Sequence, residues 1–218
     1  MPGIALWARS LGSLVVAAAV IGVRPAGAQT LMAQALAAHS DHLLLGNLTG
    51  FGLVSGARLG QSPISLRFGL SRLTGSTRRT GIACGGLIAP DRQPELLRDD
   101  ARTITASVGL SAPVWRHGPA TLTLGGGFDL AWVHSDTHGL STGRKLSAGK
   151  TLIGVDLGLE TSIVPWRQRP FAVVLGVGVS AFAPLFARDE LVDGYEPFEG
   201  RSGLRRVWLG IAWYAHSR

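Results

Sequence analysis

Apolar and polar residues alternate with a period of two along most of the chain beyond residue 45. In residues 102–115, for example, Ile104 and Val108 share one face while Thr105 and Ser107 share the other. Such alternation predicts a β-strand with one apolar and one polar face. Seven segments follow this pattern: residues 46–59, 63–75, 102–115, 120–134, 150–164, 171–185 and 204–215.

The lengths and faces of these segments favour a barrel that crosses a membrane. They run for about 12 to 16 residues, whereas an ordinary strand has about 5 or 6 and a tilted strand that spans a bilayer needs about 9 to 11. One face is aliphatic, and the other is built mainly of Gly, Ser and Thr. The polar face has too few charges for a soluble exterior but suits a narrow barrel interior. The pattern predicts an all-β protein, a closed antiparallel up-and-down transmembrane β-barrel.

Long and short connections alternate between the predicted strands. Residues 76–101, 135–149 and 186–203 are long connections, whereas residues 116–119 and 165–170 are tight turns. Outer-membrane barrels place short turns on the periplasmic side and longer loops outside. The order of the connections therefore agrees with a barrel in an outer membrane.

An eighth strand is needed before residue 46, because bacterial single-chain barrels have an even number of strands and eight is the smallest number. Thr30–His39 is the candidate, although LMAQALAAH suits a helix equally well. We therefore expect eight strands, the first of them irregular. A helical membrane protein is disfavoured, since its best candidate span, residues 171–187, contains several glycines, β-branched residues and Pro184.

The first 28 residues have the features of a cleaved export signal. Arg9 precedes a short apolar run, and Ala26-Gly27-Ala28 forms a small-x-small cleavage site. We expect residues 1–28 to be removed and residues 29–218 to form a single outer-membrane barrel domain. Loss of Arg9 and Arg24 lowers the formal net charge from +7 to +5.

Composition excludes several other classes of protein. Only 16% of residues are charged and 46% are hydrophobic, which excludes a disordered chain. Cys84 is the single cysteine, so an intrachain disulfide or a zinc site of several thiolates is impossible. The basic pI of about 10.9 is compatible with nucleic-acid binding, but export and the scatter of arginines over loops argue against that partner.

These features together resemble the small outer-membrane β-barrel proteins of Gram-negative bacteria, such as the outer-membrane protein A transmembrane domain and the opacity-type proteins. The resemblance covers residues 43–216 and includes the final strand VWLGIAWYA. It implies an outer-membrane location, a monomer, and assembly by the barrel-assembly machinery. One departure is that Trp213 and Tyr214 are followed by four more residues, whereas the family usually ends on an aromatic residue.

Strand parity places a group of charged side chains inside the barrel, and we interpret it as a network of salt bridges in the lumen. Its members are Arg67, Asp129, Asp156, Glu160 and Arg206. A small gated polar pathway is the alternative. A carboxylate pair for acid–base catalysis is disfavoured because side chains fill an eight-stranded barrel.

Two further groups of residues have possible chemistry. His134, Ser135 and Asp136, with His138 nearby, lie where a strand meets a loop, but adjacent strand residues point to opposite faces and do not form a Ser–His dyad. We expect no catalytic residue, no metal site and no cofactor. A basic loop at the outer leaflet, containing residues 78, 79, 92 and 98, is either paired internally or in contact with lipopolysaccharide phosphates.

The leading hypothesis is a non-enzymatic, integral outer-membrane barrel with a structural role, a surface-contact role or a very small pore. Its expected partners are outer-membrane lipid, including lipopolysaccharide, and the barrel-assembly machinery. One alternative is an enzyme in the barrel wall that acts on lipid A or phospholipid. Another is a soluble periplasmic barrel or sandwich that binds a lipid.

Overall fold

The structure is a computed structural model, and it describes residues 29–41, 45–81, 95–143, 145–165, 170–184 and 202–215. The predicted export signal and Cys84 lie outside these residues. No helix within the described ranges is long and apolar enough to cross a membrane.

Eight antiparallel strands form one closed barrel, which confirms the predicted fold. The strands are β1 (Gln29–Ser40), β2 (Asn47–Arg58), β3 (Ser65–Gly81), β4 (Glu95–His117), β5 (Ala120–Gly139), β6 (Lys145–Ile163), β7 (Phe171–Pro184) and β8 (Ser202–Ala215). Each strand pairs with the next in the chain, and β1 also pairs with β8. The short-turn end of the barrel holds the β2–β3, β4–β5 and β6–β7 connections, and the other end is called the outer end.

The first strand is regular, so the expectation of an irregular one was wrong. Strand β1 pairs without interruption with β2, from Gln29 opposite Ala57 to His39 opposite Asn47. It pairs equally continuously with β8. The alanines and leucines of this segment favour a helix only weakly. Two complete ladders of backbone hydrogen bonds, formed when the ring closes, override that preference.

At the outer end of the barrel, four strands are longer than the sequence predicts. Strand β3 runs on to Gly81, β4 begins at Glu95, β5 ends at Gly139 and β6 begins at Lys145. Much of the predicted loops 76–101 and 135–149 is therefore β-sheet, because polar residues on both faces conceal the period of two. We call this part of the sheet the outer extension; it comprises residues 75–81, 95–101, 133–139 and 145–151.

The outer wall of the barrel is apolar and exposed. Phe51, Phe128 and Leu175 are each at least 60% exposed, and similar side chains cover every strand of the barrel. An apolar surface of this extent marks contact with a membrane or a partner. A closed barrel also satisfies every backbone group without water. Lipid is therefore the solvent that this surface fits.

A β-bulge changes the direction of two side chains near the end of β4. The register with β5 shifts between Pro113 and Trp115. As a result, Trp115 is 52% exposed on the outer wall, while Arg116 pairs with Thr121 and turns toward the lumen. Bulges commonly redirect side chains in this way at the rims of barrels.

Apolar side chains fill the half of the lumen nearest the outer end, and we call them the apolar layer. Its buried members are Leu36, Ala38, Leu45, Leu48, Leu73, Ala101, Ala131, Val133, Leu152, Phe182 and Leu204. Every strand contributes at least one of them. The expectation of a small and polar inner face was therefore wrong for this half, since a lumen of this width closes only when bulky side chains pack across it.

Candidate functional site

All five charged residues of the predicted network lie on the inner face, in two groups. The first group is an ion pair across the lumen between β3 and β6, which are not neighbouring strands. Arg67 donates from Nη1 to Glu160 Oε2 at 2.8 Å and from Nη2 to Glu160 Oε1 at 2.6 Å. Such a two-pronged guanidinium–carboxylate pair is strong and directional. It therefore fixes the distance between opposite walls of the barrel.

The second group places one arginine against two carboxylates. Arg206 Nη2 on β8 lies 3.4 Å from Asp129 Oδ2 and 3.8 Å from Asp156 Oδ2. The Ser180 hydroxyl on β7 donates to the same Asp129 oxygen at 2.8 Å. The Asp129 side chain has no exposed surface. These contacts compensate in part for the cost of burying its charge, while Asp129 Oδ1 has no hydrogen-bond partner among the described residues.

Trp208 projects into the lumen and lies against a set of glycines on the inner wall. Its indole ring covers Gly158, Gly176 and Gly178 on β6 and β7. A Cβ atom at Gly176 would overlap three atoms of this ring. The glycines of the inner face thus leave the space that the indole occupies. Arg67, Glu160, Asp156, Arg206 and Trp208 all line one cavity of only about 90 Å³.

The outer extension has its own buried ion pair, which the sequence analysis did not predict. Arg79 Nε donates to Asp99 Oδ2 at 2.6 Å, and the Thr137 hydroxyl donates to the other oxygen of Asp99. Asp99 is completely buried. Two residues of the predicted basic loop are therefore paired with acids, since Arg98 also pairs with Asp100 at 3.0 Å. Residue 92 lies outside the described residues.

The predicted histidine cluster lies on the outer face of the same extension. His134 Nε2 is 3.4 Å from Asp136 Oδ1, which also accepts a hydrogen bond from the Ser147 hydroxyl. Ser135 points to the inner face and is buried. Burial tends to raise the pKa of Asp136, but the Ser147 hydroxyl, His134 and Lys145 together lower it. The Ser147 hydroxyl is thus bonded to the Asp136 carboxylate rather than to the His134 imidazole.

Glu95 ties the turn between β5 and β6 to the first residue of β4. Its carboxylate accepts hydrogen bonds from the backbone amides of Ser141 and Thr142, each at 3.1 Å, and from both hydroxyls. The Ser141 hydroxyl is the largest cause of a pKa lowered to about 2. The β5–β6 turn is therefore held against the start of β4 by one ionised side chain.

A second and larger cavity lies at the short-turn end of the lumen. It has a volume of about 390 Å³ and is lined in part by Arg58, Arg67 and Arg116. Parity along β2 indicates that Arg58 faces inward, but the bulge that turns Arg116 inward leaves no signature in the sequence. This cluster of arginines was therefore not predictable from the pattern of residues along the chain.

Comparison with known proteins supports the fold. No protein-family model matches the sequence, and no curated protein sequence is significantly similar to it. A major outer-membrane protein of Thermus thermophilus has a similar structure, with a TM-score of 0.58 and 14% identity over 86% of this chain and 99% of the other. Ail, the attachment invasion locus protein of Yersinia pestis, has a TM-score of 0.52 and 10% identity over 87% and 99%. The fold is that of the small outer-membrane β-barrels.

Proposed function

We propose that this protein is an integral, non-enzymatic outer-membrane barrel that does not conduct and that acts by surface contact through exposed arginines at the outer edge of its lipid-facing wall. The observation that carries the proposal is the apolar layer. Side chains from all eight strands fill the lumen between the charged groups and the outer end. An ion crossing that layer would exchange its hydration shell for a few hydroxyls, such as those of the buried Thr103 and Thr105, which is costly in a narrow and mainly apolar passage.

Conductance in planar lipid bilayers tests the first part of the proposal. We expect the wild-type barrel to show no steady channel, and the double variant Leu73→Ser/Phe182→Ser to show small openings, because both side chains belong to the apolar layer. The matched control Phe51→Ser/Phe128→Ser alters side chains on the outer wall and should stay silent. Steady conductance of the folded wild-type protein would refute the proposal.

The contact surface that we propose is a row of arginines where the aliphatic wall ends. Arg72, Arg102 and Arg205 are exposed on the outer face of β3, β4 and β8. Arg72 is opposite Phe51 and Ile104 in the ladder, so it lies directly beside the lipid-facing band. Guanidinium groups bind phosphates with two hydrogen bonds. The headgroup phosphates of lipopolysaccharide are the partner that fits this position.

Binding of bisphosphoryl lipid A to the purified barrel tests the contact. The double variant Arg72→Gln/Arg102→Gln should bind about a hundredfold more weakly, since each of the two lost charge-assisted pairs contributes about 1.5 kcal/mol. Arg58→Gln/Arg116→Gln removes the same charge at the short-turn end and is the control. Equal weakening by both double variants would show that only net charge matters and would contradict the proposed surface.

Lipid hydrolysis in the barrel wall is a second candidate, and one observation favours it. His134, Asp136 and Ser147 meet on the outward face, next to the outer leaflet. A His134→Ala strain whose lipid A and phospholipid mass profile differs from that of the wild type would support this function. If the lipid A and phospholipid profiles of the His134→Ala strain and of a deletion strain both equal that of the wild type, lipid hydrolysis is eliminated as a function.

A further inference from the structure

We infer that the lumen forms a binding site for a small phosphate monoester at its short-turn end, independently of any contact made by the exposed arginines of the outer face. The site is the cavity of about 390 Å³, and we call it the basic vestibule. Its volume is within the usual range for small-molecule sites, about 300 to 1,000 Å³. Pro63 and Val164, next to two of the short turns, lie at its rim.

Positive charge without a protein partner is the first feature of the vestibule. Arg67 is occupied by Glu160, so these two charges cancel. Arg58 and Arg116 also line the cavity, and neither forms an ion pair within the described residues. Glu160 is the only acidic residue among the described residues that line the cavity. The vestibule therefore has an uncompensated charge of about +2, which matches the charge of about −1.5 to −2 on a phosphate monoester at neutral pH.

The local structure turns both free arginines into the same space. Arg58 is the last residue of β2 and has the inward parity of Val54 and Gly56. Arg116 faces inward only because the bulge in β4 reverses the parity after Pro113. Without the bulge, Arg116 would point to the membrane interface. A feature of the backbone thus completes a pair of cations on the lumen side.

The remaining lining suits the organic part of a monoester. Hydroxyl groups come from six strands and can both donate and accept hydrogen bonds. They belong to Thr30, Ser65, Ser111, Thr121, Thr123, Ser162 and Tyr214. Met32, Val54, Val174 and Ala212 form an apolar wall. A short hydroxylated carbon chain on a phosphate, as in glycerol 3-phosphate, matches this combination of groups.

The vestibule ends inside the barrel. The Arg67–Glu160 ion pair crosses the lumen at the inner boundary of the vestibule, and Trp208 and the apolar layer lie between that pair and the outer end. A ligand therefore enters and leaves by the short-turn end. The vestibule is therefore open at one end only, as in a binding site, whereas a channel is open at both ends.

Calorimetric titration of the purified, detergent-solubilised barrel with glycerol 3-phosphate tests the inference. We expect saturable binding to the wild type and binding at least about tenfold weaker in Arg58→Gln/Arg116→Gln, because two charge-assisted contacts are lost. Arg72→Gln/Arg102→Gln is the matched control and should bind within about twofold of the wild type. Glycerol, which has the hydroxyls but no charge, should not bind. Heat-dependent gel mobility verifies that each variant is a closed barrel.

Three results would overturn the inference. The first is a wild-type dissociation constant weaker than about 10 mM, which is too weak for a specific site. The second is equal loss of affinity in the two double variants, which indicates a nonspecific response to net charge. The third is equal affinity for inorganic phosphate and glycerol 3-phosphate, which indicates that the hydroxyl lining plays no part. None of these results bears on lipid A binding or on conductance.

Discussion

A methyl group added at Gly176 should destabilise the barrel, because the indole of Trp208 occupies its place. Three ring atoms of Trp208 lie closer to an ideal Cβ at this position than real Cβ atoms approach. Strand β7 cannot move away, since it is held on both sides by the β6 and β8 ladders. Overpacking of this kind costs about 1–3 kcal/mol. We expect Gly176→Ala to lower the free energy of unfolding by that amount.

Gly56→Ala is the matched control, because the same methyl group meets its nearest neighbours there at 3.7–3.9 Å, an ordinary contact. Its stability should be unchanged or up to about 1 kcal/mol higher, owing to the entropy that glycine loses on folding. The assay is urea unfolding in lipid vesicles, followed by the fraction that keeps the mobility of a folded barrel on gels. Trp208→Leu should reduce the cost of Gly176→Ala in a double-mutant cycle. If Gly176→Ala were as stable as Gly56→Ala, the packing that we assign to Trp208 would be wrong.

Two further predictions concern single carboxylates. Glu160→Gln leaves Arg67 in the lumen without its ionised partner, so the free energy of unfolding should fall by about 3 kcal/mol. The same urea assay measures this loss. A loss below about 0.5 kcal/mol, as at an ordinary surface position, would contradict the structural role of the pair. Glu95 has a pKa lowered to about 2, so its stabilisation of the β5–β6 turn is present above the pKa of about 4.3 in an unfolded chain and is lost as the pH falls toward 2. Hydrogen exchange should show the Ser141 and Thr142 amides protected at neutral pH in the wild type and unprotected in Glu95→Gln, and equal protection in both proteins would refute the role of the carboxylate.

The apolar layer distinguishes among the roles that the sequence leaves open. Structural support, surface contact and a small pore all agree with an alternating strand pattern. Packing across the lumen favours the first two, because apolar side chains from every strand fill this part of the lumen and polar side chains there are few, such as Thr103 and Thr105. The contrast between a sealed outer half and an open short-turn end also separates the proposed outer contact surface from the vestibule.

The sequence by itself determined which side chains face lipid and which face the lumen. Phe128 and Asp129 are neighbours in the chain, yet one is 63% exposed and the other 1%. This follows because the side-chain period of a strand is a local property of the backbone. The same reasoning identified seven of the eight strands and the alternation of connections, and the eighth strand followed from the even strand number of bacterial barrels. It failed in the outer extension, where both faces are polar and the period of two has no contrast to reveal it.

Only the tertiary structure decided which inward residues meet. Arg67 and Glu160 lie on β3 and β6, and their contact depends on the diameter and stagger of the closed ring. Arg116 reaches the vestibule through a bulge that the sequence does not announce. Trp208 fits because glycines on two other strands lie at its height. Periodicity assigns a residue to a face, but barrel closure assigns it a partner.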